Sequence, residues 1–160
     1  MFRRLTLTAA GIGVAGLLLT GCFPTGAPAP EKTPPASTQE AEMTDPAPVV
    51  DAVKAALPEA LQVEVQPNQD GLTSGWVIDV EVPLGYVVTG DSLTAVLVSA
   101  WKASEPKPAF VKFNPWSTYE GKEGAIEAQR AADELGIDWS PSLSVGVNVP
   151  DYEIEKLAGE

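Results

Sequence analysis

Two runs of the chain alternate apolar and polar residues with a period of two. Leu61, Val63 and Val65 alternate with Gln62, Glu64 and Gln66, and Trp76, Ile78, Val80 and Val82 alternate with Val77, Asp79 and Glu81. That period turns successive side chains to opposite faces, so each run reads as a half-buried strand. The turn-rich "PNQDG" at 67–71 lies between them and predicts a hairpin. Ala109, Val111 and Phe113 predict a third strand, and Leu143, Val145, Val147 and Val149 a fourth.

Helical spacing fills the intervals. Asp45 followed by Pro46 starts a helix carrying Val49, Ala52, Val53, Ala56 and Leu57 on one face until Pro58 stops it. Thr89 is placed to cap a second helix, with Leu93, Val96, Leu97, Ala100 and Trp101 on its buried side. "AIEAQRAADELG" at 125–136 predicts a third, closed by Gly136, and Asp151 is expected to cap a short last helix through Leu157. The order predicts one α+β domain over 46–160: a four-stranded mixed or antiparallel sheet with helices packed mainly on one face. Its other face, bearing residues such as Asp79 and Glu81, should be polar and free.

The pattern differs before residue 46. A basic start at Arg3 and Arg4, an uncharged run from Leu5 to Leu19 and small residues before Cys22 form the three-part plan of an export signal over 1–21. An uncleaved membrane anchor over Leu5 to Phe23 is the competing reading, weakened by its threonines and glycines. From Phe23 to Pro48 come seven of the fifteen prolines and almost no large apolar residue. A chain of that composition cannot bury enough surface to order itself, so 22–45 reads as an extended tether.

Leu19-Thr20-Gly21-Cys22 resembles the lipobox of bacterial lipoproteins, whose pattern is Leu, a small residue, Gly or Ala, then Cys. The resemblance implies a diacylglycerol thioether on Cys22, cleavage before it, and attachment to the cell membrane on its extracytoplasmic side. The paired arginines leave the export route open between the general secretory and twin-arginine systems. The downstream elements, Trp101, then Val111 and Phe113, then "AADELG" at 131–136, are similar to those of small actinobacterial lipoproteins. That likeness implies a fold and a location and supplies no catalytic residue.

Charge and missing side chains narrow the function further. The 160 residues carry a net charge of −12, and loss of Arg3 and Arg4 leaves eight basic residues against 22 acidic, a net of −14. Such a surface repels nucleic acid and anionic headgroups, so a nucleic-acid partner is not expected and membrane attachment must come from the lipid. Histidine is absent and Cys22 is the single cysteine, which removes the commonest neutral-pH base, the commonest zinc ligand and any intrachain disulfide. "GIGVAG" at 11–16 satisfies a dinucleotide-binding pattern, but it lies in the signal's apolar run with no strand before it. No GxSxG nucleophile motif occurs. The acidic residues Asp133, Glu134, Asp138, Asp151, Glu153 and Glu155 lack the twelve-residue loop of an EF-hand calcium site and read as solvated charge. No cofactor, metal or catalytic residue is therefore expected.

Tryptophan gives the one hint of a ligand. Trp76 and Trp101 fall on predicted buried faces, whereas Trp116 and Tyr119, in "NPWSTYEG", fall in a predicted loop between a strand and a helix. They are the candidate contact with a cell-wall polymer or an envelope protein; packing over the sheet edge is the competing reading. The expected function is a non-catalytic binding or interaction domain at the cell envelope. The alternatives are an envelope hydrolase using carboxylates or Ser with Lys, and a structural accessory of an envelope assembly.

Overall fold

Residues 45–143 and 145–159 are described by the computed structural model. The expected export signal over 1–21, Cys22 and all of the expected tether but Asp45 lie outside the described residues. Four helices and six strands follow one another in the order α1 (Ala47–Ala56), β1 (Gln62–Asp70), β2 (Thr73–Glu81), α2 (Gly90–Ala103), β3 (Phe110–Tyr119), β4 (Lys122–Ala125), α3 (Gln129–Leu135), β5 (Ser140–Ser142), β6 (Gly146–Pro150) and α4 (Asp151–Ala158). The class is α+β, and the sheet is mixed with the strand order β1-β2-β3-β6-β5, while β4 pairs with β3 off this path. Six strands replace the four expected.

The hairpin of β1 and β2 forms, but "PNQDG" is not its turn. Pro67 through Asp70 continue the strand, and Asp70 pairs with Thr73. The reversal is carried by Gly71, at φ +62°, and Leu72 alone. A left-handed first residue in a two-residue loop matches the strand twist, and glycine takes that conformation without steric cost. The chain then crosses over through α2 to β3, which lies parallel to β2 with Trp76 opposite Val111 and Glu81 opposite Trp116.

"NPWSTYEG" is strand and turn, not the loop expected from sequence. β3 runs to Tyr119, reverses through Glu120 (φ +51°) and Gly121 (φ +73°), and returns as β4 with Tyr119 opposite Lys122. Two successive left-handed residues are the signature of the type I′ hairpin turn. Strand pairing of Lys122–Ala125 also shortens the third helix, which begins at Gln129 and ends with Gly136 left-handed as its C-cap. Leu143 was expected in a strand; it sits instead in the turn between β5 and β6, at φ +49° and exposed.

Alternation in the strands sorts their residues onto two faces. Val63, Val65, Trp76, Ile78, Val80, Val111, Phe113, Val147 and Val149 are buried together with Val49 and Val53 of α1, five residues of α2, Ala131 and Ala132 of α3 and Ile154 of α4. All four helices thus cover the same face. Burial of each large aliphatic side chain contributes about 1.5–3 kcal/mol, so this layer holds most of the stability. α2 is pinned at both ends. At its start, Thr89 and Ser92 form a reciprocal capping box, with Ser92 N donating to Thr89 Oγ1 at 3.2 Å and Thr89 N to Ser92 Oγ at 2.9 Å. At its end, Trp76 Nε1 donates to Ser104 Oγ at 2.8 Å and Ser104 Oγ donates to the Ala100 carbonyl at 2.7 Å. Asp151 does not cap α4. Pro150 holds that position, and Asp151 lies in the first turn, where its negative charge suits the helix N-terminus.

Candidate functional site

No helix covers the other face of the sheet. Across it runs the row Glu64, Asp79, Asn114, set by the pairing of Glu64 with Asp79 and of Asp79 with Asn114. Beside it lies the row Gln62, Glu81, Trp116, Ala125. A trough of about 600 Å³ opens over these rows, lined by Gln62, Glu64, Asp79, Asn114, Trp116 and Glu123 among others, with Leu143, Val145 and Gly146 along one side. The volume is in the range of small-molecule sites.

The trough exists because β3 changes partner along one flank. β6 pairs with Phe110 through Phe113, and β4 takes over at Trp116 through Tyr119. Between them Asn114 and Pro115 have no strand beside them on that flank. Proline donates no hydrogen bond, so a gap at Pro115 forfeits no ladder donor. Its carbonyl accepts instead from Ile126 N at 2.8 Å, which turns the chain out of β4 toward α3. The sequence thus opens a seam in the sheet without leaving the backbone of Pro115 unpaired.

Polar contacts fix the floor. Asn114 Nδ2 donates to Asp79 Oδ1 at 3.1 Å, and Gln62 Nε2 donates to a Glu64 carboxylate oxygen. Asn114 is only 7% exposed, and its Oδ1 has no hydrogen-bond partner. That oxygen rests over the bare Cα of Gly146, where a Cβ would come within 2.2 Å of it. No lysine or arginine is among the described residues lining the trough. Lys112, two residues before Asn114 on the same face, turns away: its Nζ donates to Asn68 Oδ1 at 2.9 Å and lies 5.0 Å from the centre of the Phe110 ring.

Of the two aromatic candidates, Trp116 is half-buried in the trough wall, whereas Tyr119 is 58% exposed at the hairpin end and does not line the trough. The structure therefore separates the pair. Trp76 and Trp101 are core residues, as their spacing predicts. Asp79 and Glu81 do share the open face; Asp79 enters the trough, and Glu81 accepts from Thr118 Oγ1 at 2.9 Å. Gln62, Glu64, Asn114 and Glu123 were not singled out from sequence. The signal for the first two was present in the polar half of the alternation opposite Asp79.

A second, smaller cleft of about 250 Å³ is lined by Phe110, Trp139, Tyr152, Asp138, Ser140, Asn148 and Pro150. Trp139 Nε1 is held by Asp133 Oδ1 at 2.9 Å and Tyr152 OH donates to Asp138 Oδ2 at 3.3 Å, which satisfies the polar ends of two of its rings.

Among the described residues no helix is long and apolar enough to cross a membrane, and no group of three acidic side chains is placed to hold a metal ion. In comparison with known proteins, the chain matches no family model, no curated protein and no solved structure.

Proposed function

We propose that this chain is a lipid-anchored extracytoplasmic binding domain, tethered through Cys22 and the Pro-rich segment, that receives its ligand without catalysis in the trough on the open sheet face. The trough at the seam of β3 carries this reading. It combines an aromatic wall, Trp116, with a hydrogen-bonding floor, Asp79 and Asn114, on a rigid sheet, the arrangement a small-molecule or polymer-segment site requires. The lipid reading is supported by the lipobox-like residues 19–22 and by the acidity of the domain, which leaves no electrostatic route to an anionic membrane.

The hydrolase alternative draws on Glu64 and Asp79, carboxylates opposite each other on neighbouring strands. A Ser–Lys pair is not supported in the trough, whose described lining holds neither residue.

Two experiments test the reading. Cys22→Ala should move the protein from the membrane to the soluble fraction; retention on the membrane would defeat the lipid anchor. For the trough, the full chain should be titrated with soluble fragments of envelope polymers and with small envelope metabolites. Trp116→Ala should weaken whatever binds, while Tyr119→Ala should leave it unchanged. A ligand indifferent to Trp116→Ala, or turned over by the protein and spared by Asp79→Asn, would overturn the reading.

A further inference from the structure

The trough and the smaller cleft open on one face of the sheet. Asn114, Trp116 and Gly146 of the trough and Phe110, Asn148 and Pro150 of the cleft occupy positions of one parity in β3 and β6. The other parity is the buried one, with Val111, Phe113, Val147 and Val149. The Phe110 ring agrees with that placement: it lies over the bare Cα of Gly75, where a Cβ would come within 2.5 Å of Cδ2, and Gly75 shares its face of β2 with Asp79. From Phe110 to Trp116 is six residues of β3, about 20 Å at the rise of a strand. Lys112 and Asn148, cross-strand partners, stand between the two cavities.

Each end offers aromatic surface beside carboxylates. At the trough it is Trp116, with Glu64, Asp79 and Glu123; at the cleft Trp139 and the exposed Tyr152 meet Phe110, with Asp138. Trp139 Nε1 is tied to Asp133 and Tyr152 OH to Asp138, so these rings are held in place and present their apolar surface. Glu64, Asp79 and Asp138 each accept one side-chain hydrogen bond within the chain, and a carboxylate has room for about four. A pyranose, with a face of C–H groups and a rim of hydroxyl donors, complements a ring next to such a carboxylate.

The order of charges along the face selects against charged polymers. Carboxylates at both ends, with no lysine or arginine lining either cavity among the described residues, repel a polyanion. Lys112 in the middle repels a polycation. An uncharged chain of sugars meets neither obstacle, because hydroxyls donate to carboxylates and accept from an ammonium, and Lys112 Nζ uses one of its three donors on Asn68.

We propose that trough and cleft are the two ends of one site for a linear, uncharged glycan, which lies along β3 with one sugar against Trp116 and another, beyond Lys112, against Tyr152 and Trp139. This rests on the trough being a binding site and adds the cleft to it. No single sugar spans about 20 Å, so affinity should depend on chain length. Isothermal titration of the purified full chain with N-acetylglucosamine oligomers should show the hexamer binding about tenfold or more tighter than the dimer. Tyr152→Ala should bring the hexamer down to the affinity of the dimer and leave the dimer unchanged, while Tyr152→Phe, which keeps the ring, should retain most of the gain. Trp116→Ala should weaken both oligomers. Equal affinities for dimer and hexamer, or a hexamer indifferent to Tyr152→Ala, would overturn the spanning site; the trough reading would then survive alone if Trp116→Ala still weakened what binds. If no oligomer binds, the glycan assignment falls, and the titration of small metabolites against Trp116→Ala decides the trough separately.

Discussion

Gly146 tests whether the seam in the sheet is as tight as its geometry implies. A Cβ added there would lie 2.2 Å from Asn114 Oδ1, 2.7 Å from the Phe113 carbonyl oxygen and 2.7 Å from the Ser142 carbonyl oxygen. Real Cβ contacts of that length do not occur, so something must move. The asparagine can turn aside at a soft terminal torsion, but the two carbonyls belong to β3 and β5, the strands on either side of β6, and cannot rotate away. Gly146→Ala must therefore push the strands apart. Overpacking of this kind costs about 1–3 kcal/mol, and with two backbone atoms involved the upper end applies, about 3 kcal/mol. For a domain near 115 residues each kcal/mol moves the melting temperature by about 4 °C, which gives a fall of about 12 °C. Asn114→Ala in the same chain removes only the shortest of the three contacts, so the double variant should be about 1 kcal/mol less destabilised than the sum of the single ones. Gly124 is the control: it also lines the trough, but the nearest atom to its added Cβ is the Ser117 carbonyl oxygen at 3.9 Å, and Gly124→Ala should stay within about 0.5 kcal/mol. Thermal and urea unfolding of the unaltered chain and the four variants measure this directly. A Gly146→Ala protein that melts with the unaltered chain would refute the steric argument and, with it, the closeness of β5, β6 and β3 at the trough's side.

Ser104→Ala should cost about 1–3 kcal/mol because it strands a buried indole N–H, and Trp76→Phe in the same chain should show a coupling of about 1 kcal/mol by urea denaturation; strict additivity would deny the hydrogen bond. Thr89→Ala removes the cap of α2 and should lower stability by about 1 kcal/mol, read from the shift in urea midpoint. The Lys156 ammonium is held above the ordinary lysine range by its hydrogen bond to Glu153, so the stabilisation is complete below the unfolded lysine's pKa and is lost as pH rises through the higher folded one. Tyr152 titrates above its usual value as well, through desolvation and then the Asp138 charge, and adds in the same direction. The urea midpoint should therefore fall above about pH 10, and Lys156→Met should flatten that fall without abolishing it; an unchanged alkaline slope would deny the ion pair its role.

The buried face was legible because its code is local. Alternation in 61–66 and 76–82 and the 3.6-residue spacing in 93–101 each name their buried residues without reference to any other segment, and those residues are the core except Leu61, which precedes β1 and is 65% exposed. β4 and β5 were not legible for a different reason. "KEGA" and "SPS" are short, exposed or without an apolar period, and they are strands only because β3 and β6 offer them an edge. The Glu120–Gly121 reversal was hidden because the usual mark of that turn is Asn or Asp before Gly, and glutamate at positive φ gives no such signal. Without a signal for the hairpin, the sequence places Trp116 in a loop beside Tyr119. Strand geometry separates them: they are three residues apart, an odd number, so their side chains leave opposite faces. The trough itself could not be read at all, since it depends on where β6 stops and β4 begins along one flank of β3.

The acidity of the open face is then the remaining question for folding. Nothing in the core requires a carboxylate at 64 or at 79, because the helices cover the other face and the hairpin is held by its ladder and by Val63, Val65, Ile78 and Val80. A lysine opposite Asp79 would turn a repulsive cross-strand pair into an attractive one, a gain of about 0.2–1 kcal/mol over the neutral pair. The chain instead keeps two carboxylates face to face, leaves Asn114 Oδ1 without a donor and directs its nearest lysine elsewhere. The carboxylate pair and the unpaired amide oxygen each lower stability slightly, and both lie at one trough, while Lys112 is used in a favourable contact away from it.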